Sequence, residues 1–255
     1  MNYFSTCERC LLNTEVPGVT IGTDGTCSVC ENHDKEWGNW EQIKGERLET
    51  LEKILKKAKK KKRIYDVLVP LSGGKDSTYV LYLCRKVFNL NCLAVTWDNG
   101  FLSEHARKNI KTACDLLGVD HTYYGINQNL LMRLYKYFFL KTGFFCPVCM
   151  GGIQAAVTRT QIGFDIPLAV RGTSLRTEEY LAPAFFLSGG FGFIENTREG
   201  SAHKEEAAVL LTPSGIFAAP PSLNIPDYFD WDYDEIFNVI TNELGWTARK
   251  KDEEH

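Results

Sequence analysis

Residues 65–78 read Tyr-Asp-Val-Leu-Val-Pro-Leu-Ser-Gly-Gly-Lys-Asp-Ser-Thr. The apolar first half is typical of a buried strand, and the glycine pair predicts a tight turn into a helix. Such a turn suits phosphate, because glycine lets the backbone approach an anion and a helix N-terminus directs free N–H groups toward it. Ser72, Ser77 and Thr78 add hydroxyl groups, and Lys75 adds a positive charge. The stretch therefore predicts a loop that holds nucleotide phosphates.

The spacing of this loop differs from the commoner nucleotide motifs. GxxxxGK[ST] separates its glycines by four residues, whereas Gly73 and Gly74 are adjacent, and GxGxxG is absent here. The string resembles instead the SGGxDS loop of the PP-loop ATP pyrophosphatases, also called the adenine nucleotide alpha hydrolase superfamily. That resemblance implies an enzyme that splits ATP into AMP and pyrophosphate and uses the AMP to activate a carbonyl oxygen. It implies catalytic roles for Lys75 and Asp76. It also implies Mg²⁺ as a cofactor, which Asp76 could help to hold. The residues implied to contact ATP are Ser72, Gly73, Gly74, Lys75, Asp76, Ser77 and Thr78.

The composition is that of an ordinary globular protein. The chain has 255 residues, enough for one large domain and a small module, with 44% apolar residues, 24% charged residues and a net charge of −3. We expect no membrane association, because no apolar run is long enough to span a bilayer and the N-terminus lacks the pattern of a signal peptide. A cytoplasmic location follows. The nine cysteines are then expected to be metal ligands or reactive thiols rather than disulfides.

Four cysteines form one pattern near the N-terminus. Cys7 and Cys10 are separated by two residues, as are Cys27 and Cys30, with sixteen residues between the pairs. Two such turns can supply the tetrahedral set of four thiolates that Zn²⁺ prefers, and the gap is typical of zinc ribbons. We predict a structural zinc ribbon over residues 1–40, with iron on the same four thiolates as the alternative.

A predicted helix follows the ribbon. Apolar residues recur at three- and four-residue intervals over 41–64, and the stretch ends in a run of lysines at 56–62 followed by Arg63. We interpret it as a basic linker helix. The lysine run would contact RNA phosphate or, alternatively, form a solvated helix end.

The remaining residues, 65–255, alternate between predicted strands and helices. Strands are expected at 92–97, 121–125 and 167–171, with helices at 103–117, 127–142, 149–162 and 233–244. This alternation predicts an α/β fold with a doubly wound, mostly parallel sheet. Periodicity is poor over 183–226, for which we predict an irregular insertion. The aromatic and acidic residues of 226–232 would dock a partner or pack the last helix.

Ligands of open parallel sheets bind beyond the carboxyl ends of the strands, which directs attention to the residues there. In the PP-loop fold, adenine lies near the end of the second strand, so the resemblance implies nucleotide contacts from Trp97 and Asp98 and, after the later strand, from Gly172 and Thr173. The thiolating members often carry a Gly-His…Asp-Asp element at this last position. Here the histidine and the aspartate pair are missing, which leaves Glu178 and Glu179 as weak Mg²⁺ candidates beside a solvated acidic turn.

A second C-x-x-C pair, Cys146 and Cys149, precedes a predicted helix. Thiolates at a helix N-terminus are stabilised by the helix dipole, so at least one thiol is expected to be partly ionised. The alternative is a pair of buried structural cysteines. The placement resembles PP-loop enzymes that thiolate tRNA bases, with Arg159 and Gly172 at the positions that follow. In those enzymes the pair and a third cysteine hold an iron–sulfur cluster or form a persulfide. A [4Fe-4S] cluster on Cys146 and Cys149 would need a further ligand, because no cysteine follows Cys149.

Three functions remain open at this stage. The first is sulfur transfer, in which Cys146 and Cys149 thiolate an adenylated tRNA base or small molecule with sulfur from a donor. The second is amidation with ammonia, because the N-terminal layout up to about residue 100 also resembles N-acetyl sugar amidotransferases, which implies a glutaminase subunit as partner. The third is a nucleotide-binding regulator without turnover, against which the intact Lys75, Asp76 and Ser77 argue. A homodimer is also left open.

Overall fold

The computed structural model describes residues 5–16, 18–59, 63–143, 145–177 and 220–248. Seven α-helices lie in these ranges: α1 Ser28–Trp37, α2 Trp40–Lys59, α3 Lys75–Tyr82, α4 Glu104–Leu117, α5 Gln128–Thr142, α6 Cys146–Gly163 and α7 Tyr233–Leu244. A π-helical turn over Leu83–Val87 extends α3, and a 3₁₀ turn covers Ile225–Asp227. None of the described helices has the length and apolar character that crossing a bilayer requires.

Five strands form one fully parallel sheet in the order β3-β2-β1-β4-β5. Their bounds are β1 Val67–Pro70, β2 Cys92–Trp97, β3 Asp120–Tyr124, β4 Ala169–Arg171 and β5 Ser222–Asn224. All six residues of β2 are buried, which is why it reads as a continuous apolar run. The prediction of an α/β fold with a doubly wound parallel sheet is confirmed.

Helices cover both faces of the sheet. Val67 and Val69 of β1 face a core that α2, α3, α4 and α7 complete, whereas Leu68 faces a second core with α5 and α6. Three α-helices begin at side-chain caps and end at left-handed glycines, as for α4, where Ser103 Oγ accepts from the Ala106 N–H and Gly118 has φ +60°.

Two predicted regions differ from the observed elements. The helix predicted as a linker packs Leu51 and Leu55 into the sheet's own core, so α2 is part of the α/β domain. The irregular insertion predicted over 183–226 extends too far, because residues 222–224 form the edge strand β5. A strand of three residues gives too short a pattern to be detected. Residues 178–219 lie outside the described ranges.

Candidate functional site

The candidate site lies where the order of the strands reverses. The chain proceeds outward from β1 to β2 and β3 on one side and returns to β4 and β5 on the other. In such sheets the crevice at the reversal point, beyond the carboxyl ends of the strands, is where ligands bind. Three loops meet this edge: residues 72–77 after β1, residues 98–100 after β2 and residues 172–177 after β4.

The loop after β1 has the backbone that its glycines predict. Gly73 has φ +79°, and a Cβ there would lie 2.6 Å from the Ala106 carbonyl oxygen of α4, so no larger residue fits. Ser77 Oγ accepts from the Ser72 N–H at 3.2 Å, and Ser72 Oγ accepts from the Gly74 N–H at 3.3 Å. The loop is thus pre-formed at the N-terminus of α3, with its N–H groups and hydroxyls gathered at one end of a helix dipole.

Lys75 and Asp76 form an ion pair in the first turn of α3, with 2.5 Å between Nζ and Oδ1. Trp231, which precedes α7, donates its indole N–H to the same Oδ1 at 2.9 Å. Lys75 Nζ also lies 4.8 Å from the ring centroid of Tyr233. The two charged residues of the motif are therefore surrounded by aromatic side chains that are distant in the sequence.

The loop after β4 lies against residues 72–77, the loop after β1. A Cβ on Gly172 would lie 3.2 Å from the Asp76 carbonyl carbon, so the glycine permits this close approach. Thr173 donates to Asn224 Oδ1 at 2.9 Å. Buried Asp227 accepts from Ser174 Oγ at 2.9 Å and from two backbone N–H groups. The residues after β5 thus fix this loop. Glu178 and Glu179 lie outside the described residues.

Trp97 ends β2 and Asp98 follows it, as predicted. The side chains of both residues contact other parts of the protein. Trp97 is 7% exposed and lies under α6, where a Cβ on Gly152 would be 2.2 Å from its indole. Asp98 accepts from Arg107 at 3.1 Å and from the Gly100 N–H at 3.1 Å. The Asp98 carboxylate therefore orders its loop and pairs with α4.

Cys146 and Cys149 occupy the first turn of α6, and both are partly buried. Asn99, in the loop after β2, places Nδ2 3.8 Å from Cys149 Sγ, and Tyr135 donates to the Asn99 carbonyl at 3.3 Å. Burial, followed by the nearby Cys149 thiol, raises the pKa of Tyr135. The pair thus lies at the β2 edge of the crevice.

The four N-terminal cysteines converge on one point. Their sulfur atoms all lie within 4.8 Å of one another, with 3.9 Å between Cys7 and Cys30 and 3.5 Å between Cys10 and Cys27. A tetrahedral site with zinc–sulfur bonds of about 2.3 Å needs sulfurs roughly 3.8 Å apart, so the arrangement fits the ion. Backbone N–H groups donate to Cys7 and Cys27 Sγ. Hydrogen bonds from the backbone, that of Cys10 foremost, lower the pKa of Cys7 to about 6.

Within the described ranges, this is the one group of three or more Cys, His, Asp or Glu side chains spaced to bind a metal ion. Cys146 and Cys149 have no third ligand of these types in that part of the chain. The two C-x-x-C pairs at the N-terminus and the one at α6 therefore differ in what they can bind.

Comparison with known proteins finds a family model that matches the central segment. Residues 47–167 match the family model described as NAD synthase. An uncharacterized protein of Methanocaldococcus jannaschii is 36% identical over 112 residues, which are 42% of this chain and 39% of that protein. The chain thus spans about two fifths of the length of this curated relative.

Two solved structures are similar at low identity. The U34-tRNA thiolase NcsA from Methanococcus maripaludis, described with its [4Fe-4S] cluster, is 18% identical, with a TM-score of 0.43 over 96% of this chain and 74% of that chain. An NH3-dependent NAD synthetase from Campylobacter jejuni is 15% identical, with a TM-score of 0.43 over 84% and 81% of the two chains. Similarity at this level supports no conclusion about function, which has to be argued from the residues of the chain itself.

The sequence missed the contribution of the C-terminal segment. It singled out the loops after β1, β2 and β4, and the structure brings these three together at one edge. It did not predict that Trp231 and Tyr233 reach Lys75 and Asp76, or that Trp246 donates to the Gly73 carbonyl at 2.9 Å. The aromatic composition of 226–233 was the available signal, but it did not indicate a target.

Proposed function

We propose that the chain binds Mg·ATP at residues 72–78 and adenylates a carbonyl oxygen of its substrate. The observation that carries this proposal is the pre-formed loop at the N-terminus of α3, with Lys75 beside it at the reversal point of the sheet. The substrate oxygen attacks the α-phosphorus, the bond to pyrophosphate breaks, and a nucleophile then displaces AMP from the activated carbon. Lys75 and the loop N–H groups stabilise the charge that develops on the leaving pyrophosphate.

The residues present suit Mg²⁺ at the phosphate end of the site. The ion would neutralise phosphate oxygens, and a carboxylate is its preferred protein ligand. Asp76 supplies a carboxylate in the first turn of α3 that is about one third exposed. Its partner Lys75 would move from Asp76 to the phosphates when nucleotide binds.

For the nucleophile we propose sulfur carried by Cys149 as a persulfide. Cys149 lies beside the loop after β2, and the described residues offer no third ligand for a cluster on the pair. The terminal sulfur attacks the adenylated carbon and AMP leaves. The Cys146 thiolate then attacks the Cys149 sulfur, which releases the thiolated product and leaves a Cys146–Cys149 disulfide for a cellular thiol to reduce. A persulfide donor then transfers its outer sulfur to the reduced Cys149 thiolate and leaves as a thiol. The acceptor of the thiolation is a tRNA base or a small molecule.

The match to the NAD synthase model favours ammonia as a second candidate nucleophile. Ammonia would attack the same adenylated carbon directly, and Cys146 and Cys149 would then be structural. A glutaminase subunit would supply the ammonia. The N-terminal layout that resembles N-acetyl sugar amidotransferases supports the same route.

The N-terminal thiolates would hold a structural Zn²⁺. Four cysteine ligands leave no open coordination position for catalysis, so the ion would stabilise the module without taking part in the reaction. Nine unpaired cysteines suit a reducing, cytoplasmic location.

The adenylation step is tested by the Lys75→Ala variant. We expect Mg·ATP binding to weaken by about tenfold or more, because a charged contact to phosphate is lost. Exposed Lys86, beyond the end of α3, provides the matched control Lys86→Ala, which should bind as the wild type does. Equal binding by Lys75→Ala and wild type would remove the loop assignment.

The nucleophile is tested with the double variant Cys146→Ser, Cys149→Ser. The assay measures pyrophosphate release and product formation with total tRNA or a small-molecule extract as acceptor. Sulfur transfer predicts loss of product while adenylation continues. Full product formation that depends on ammonium would establish the ammonia route instead.

A further inference from the structure

Two tryptophans of the C-terminal segment donate hydrogen bonds to the phosphate loop. Trp231 Nε1 lies 2.9 Å from Asp76 Oδ1, and Trp246 Nε1 lies 2.9 Å from the Gly73 carbonyl oxygen. The two indoles precede and follow α7, so one helix presents both of them to the loop.

Trp246 acts on the orientation of a peptide group. In a planar trans peptide the C=O and the N–H point in opposite directions, so holding the Gly73 carbonyl fixes where the Gly74 N–H points. Gly73 has φ +79°, and its carbonyl also accepts weakly from Asn109 Nδ2 at 3.4 Å. The hydrogen bonds to its carbonyl thus hold Gly73 in the left-handed conformation. They act on the side of the peptide opposite to the N–H groups proposed to bind the anion.

Trp231 acts on the Asp76 carboxylate. Its indole N–H shares Oδ1 with Lys75 Nζ. When Lys75 moves to phosphate, the indole remains as a donor that keeps the carboxylate in place. The Trp231 ring is fixed in turn by edge-on contact with Tyr79 at 5.2 Å.

The segment that carries Trp231 is anchored from the other side. Asp230 accepts from Trp40 Nε1 at 2.7 Å and from Lys44 Nζ at 2.9 Å, both on α2. The indole is therefore held between a rigid helix and the loop, as a positioning residue requires.

We propose that Trp231 and Trp246 are positioning residues for nucleotide binding. They set the geometry of Asp76 and of the Gly73–Gly74 peptide through their indole N–H groups. This inference rests on the proposed binding of Mg·ATP at the loop, and it is independent of whether sulfur or ammonia is the nucleophile.

The test compares Trp231→Phe and Trp246→Phe with wild type in the full chain. Phenylalanine keeps an aromatic ring and removes the donor. We expect the Kd for Mg·ATP, measured by calorimetry well below the unfolding midpoint, to rise about tenfold for Trp231→Phe, because a hydrogen bond to a charged group is lost. For Trp246→Phe, which loses a neutral hydrogen bond, we expect a rise of about threefold to fivefold.

Tyr65→Phe is the matched control. It also removes a donor to a carboxylate, because the Tyr65 hydroxyl donates to Asp120 Oδ2 at 2.8 Å, but this pair lies at the amino ends of β1 and β3, away from the loop. Its Kd should stay within twofold of wild type. A double-mutant cycle with Asp76→Ala adds a specific readout: the effect of Trp231→Phe on Kd should vanish when Asp76 is absent.

The outcomes separate the two levels of the proposal. If wild type fails to bind Mg·ATP, the proposed function itself is wrong. If wild type binds and both tryptophan variants bind equally well, or if Tyr65→Phe weakens binding as much as Trp231→Phe does, the positioning role is wrong while ATP binding stands.

Discussion

The N-terminal cysteines and the α6 cysteines share the C-x-x-C spacing but have different surroundings. In the N-terminal module, two pairs face each other and bring four sulfur atoms within 4.8 Å, with backbone N–H groups donating to two of them. In α6, one pair lies along a helical turn beside Asn99 and Tyr135. The spacing alone does not determine the chemistry. What matters is whether a second pair converges on the first.

The two sets of cysteines differ in how far their thiols are buried. Cys7 and Cys27 are fully buried, so their charge has to be balanced by a cation or removed by protonation. Cys146 and Cys149 remain partly accessible and lie at the β2 edge of the crevice. We therefore expect the first set to stabilise the fold through a metal and the second to react with partners from solution.

Removing one metal ligand should have the largest effect. We expect Cys27→Ser to reduce bound zinc from about one per chain to near none and to unfold residues 5–37, because structural zinc contributes about 10–16 kcal/mol of apparent binding free energy in small modules. Elemental analysis and hydrogen exchange of the module measure the two effects.

Cys149→Ser is the matched control for this substitution. It removes one thiol from a C-x-x-C pair of the same spacing and should leave the zinc content unchanged. Retention of zinc by Cys27→Ser, or loss of zinc in Cys149→Ser, would contradict the assignment of the metal to the N-terminal set.

A close helix–strand contact helps to fix the position of the α6 pair. A Cβ at residue 152 would lie 2.2 Å from the Trp97 indole, so Gly152→Ala should push α6 away from β2 and destabilise the domain by about 1–3 kcal/mol. Chemical denaturation measures the change.

Gly163→Ala tests whether any effect comes from the contact rather than from helix propensity. Gly163 lies in the same helix and has nothing within 4 Å of an added Cβ. Alanine there should be neutral or should stabilise by up to about 1 kcal/mol. A stability change of the same sign and size at both glycines would show that the contact with Trp97 does not restrict α6.

The local features of the site were predictable from the sequence, whereas its long-range contacts were not. Residues 72–78 combine glycine, hydroxyl and charge within one turn, so their role is encoded in adjacent positions. The C-x-x-C spacing of Cys7, Cys10, Cys27 and Cys30 likewise predicted a convergent set. The bounds of α4 agree with the prediction of a helix over 103–117, because its caps Ser103 and Gly118 are local signals.

The contacts of Trp231 and Trp246 with the loop join residues more than 150 positions apart, and nothing in their local sequence specifies a partner. The strand β5 was missed for a related reason. Its three residues are held by pairing with β4 rather than by their own periodicity. The apolar stripe of α2 was recognised, but its packing into the core of the sheet was missed, because a stripe such as Leu51 and Leu55 does not specify the surface that it contacts.

Alkylation of the native protein compares both sets of cysteines without any substitution. Of the nine cysteines, only Cys146 and Cys149 should react at pH 8 when zinc is bound, because the metal protects four and burial protects Cys84, Cys92 and Cys114. Burial raises the pKa of Cys114 to about 12, so its thiolate fraction at pH 8 is only about one in ten thousand, and its labelling should increase as the pH rises toward that value.

A chelator should raise the number of labelled thiols from two to six, and denaturation should raise it to nine. Mass spectrometry after digestion identifies each site, and labelling of the N-terminal four before chelation would show that these thiols are not shielded by a metal. Two slow sites at α6 in that experiment would instead mean that Cys146 and Cys149 are structural, which would favour ammonia as the nucleophile.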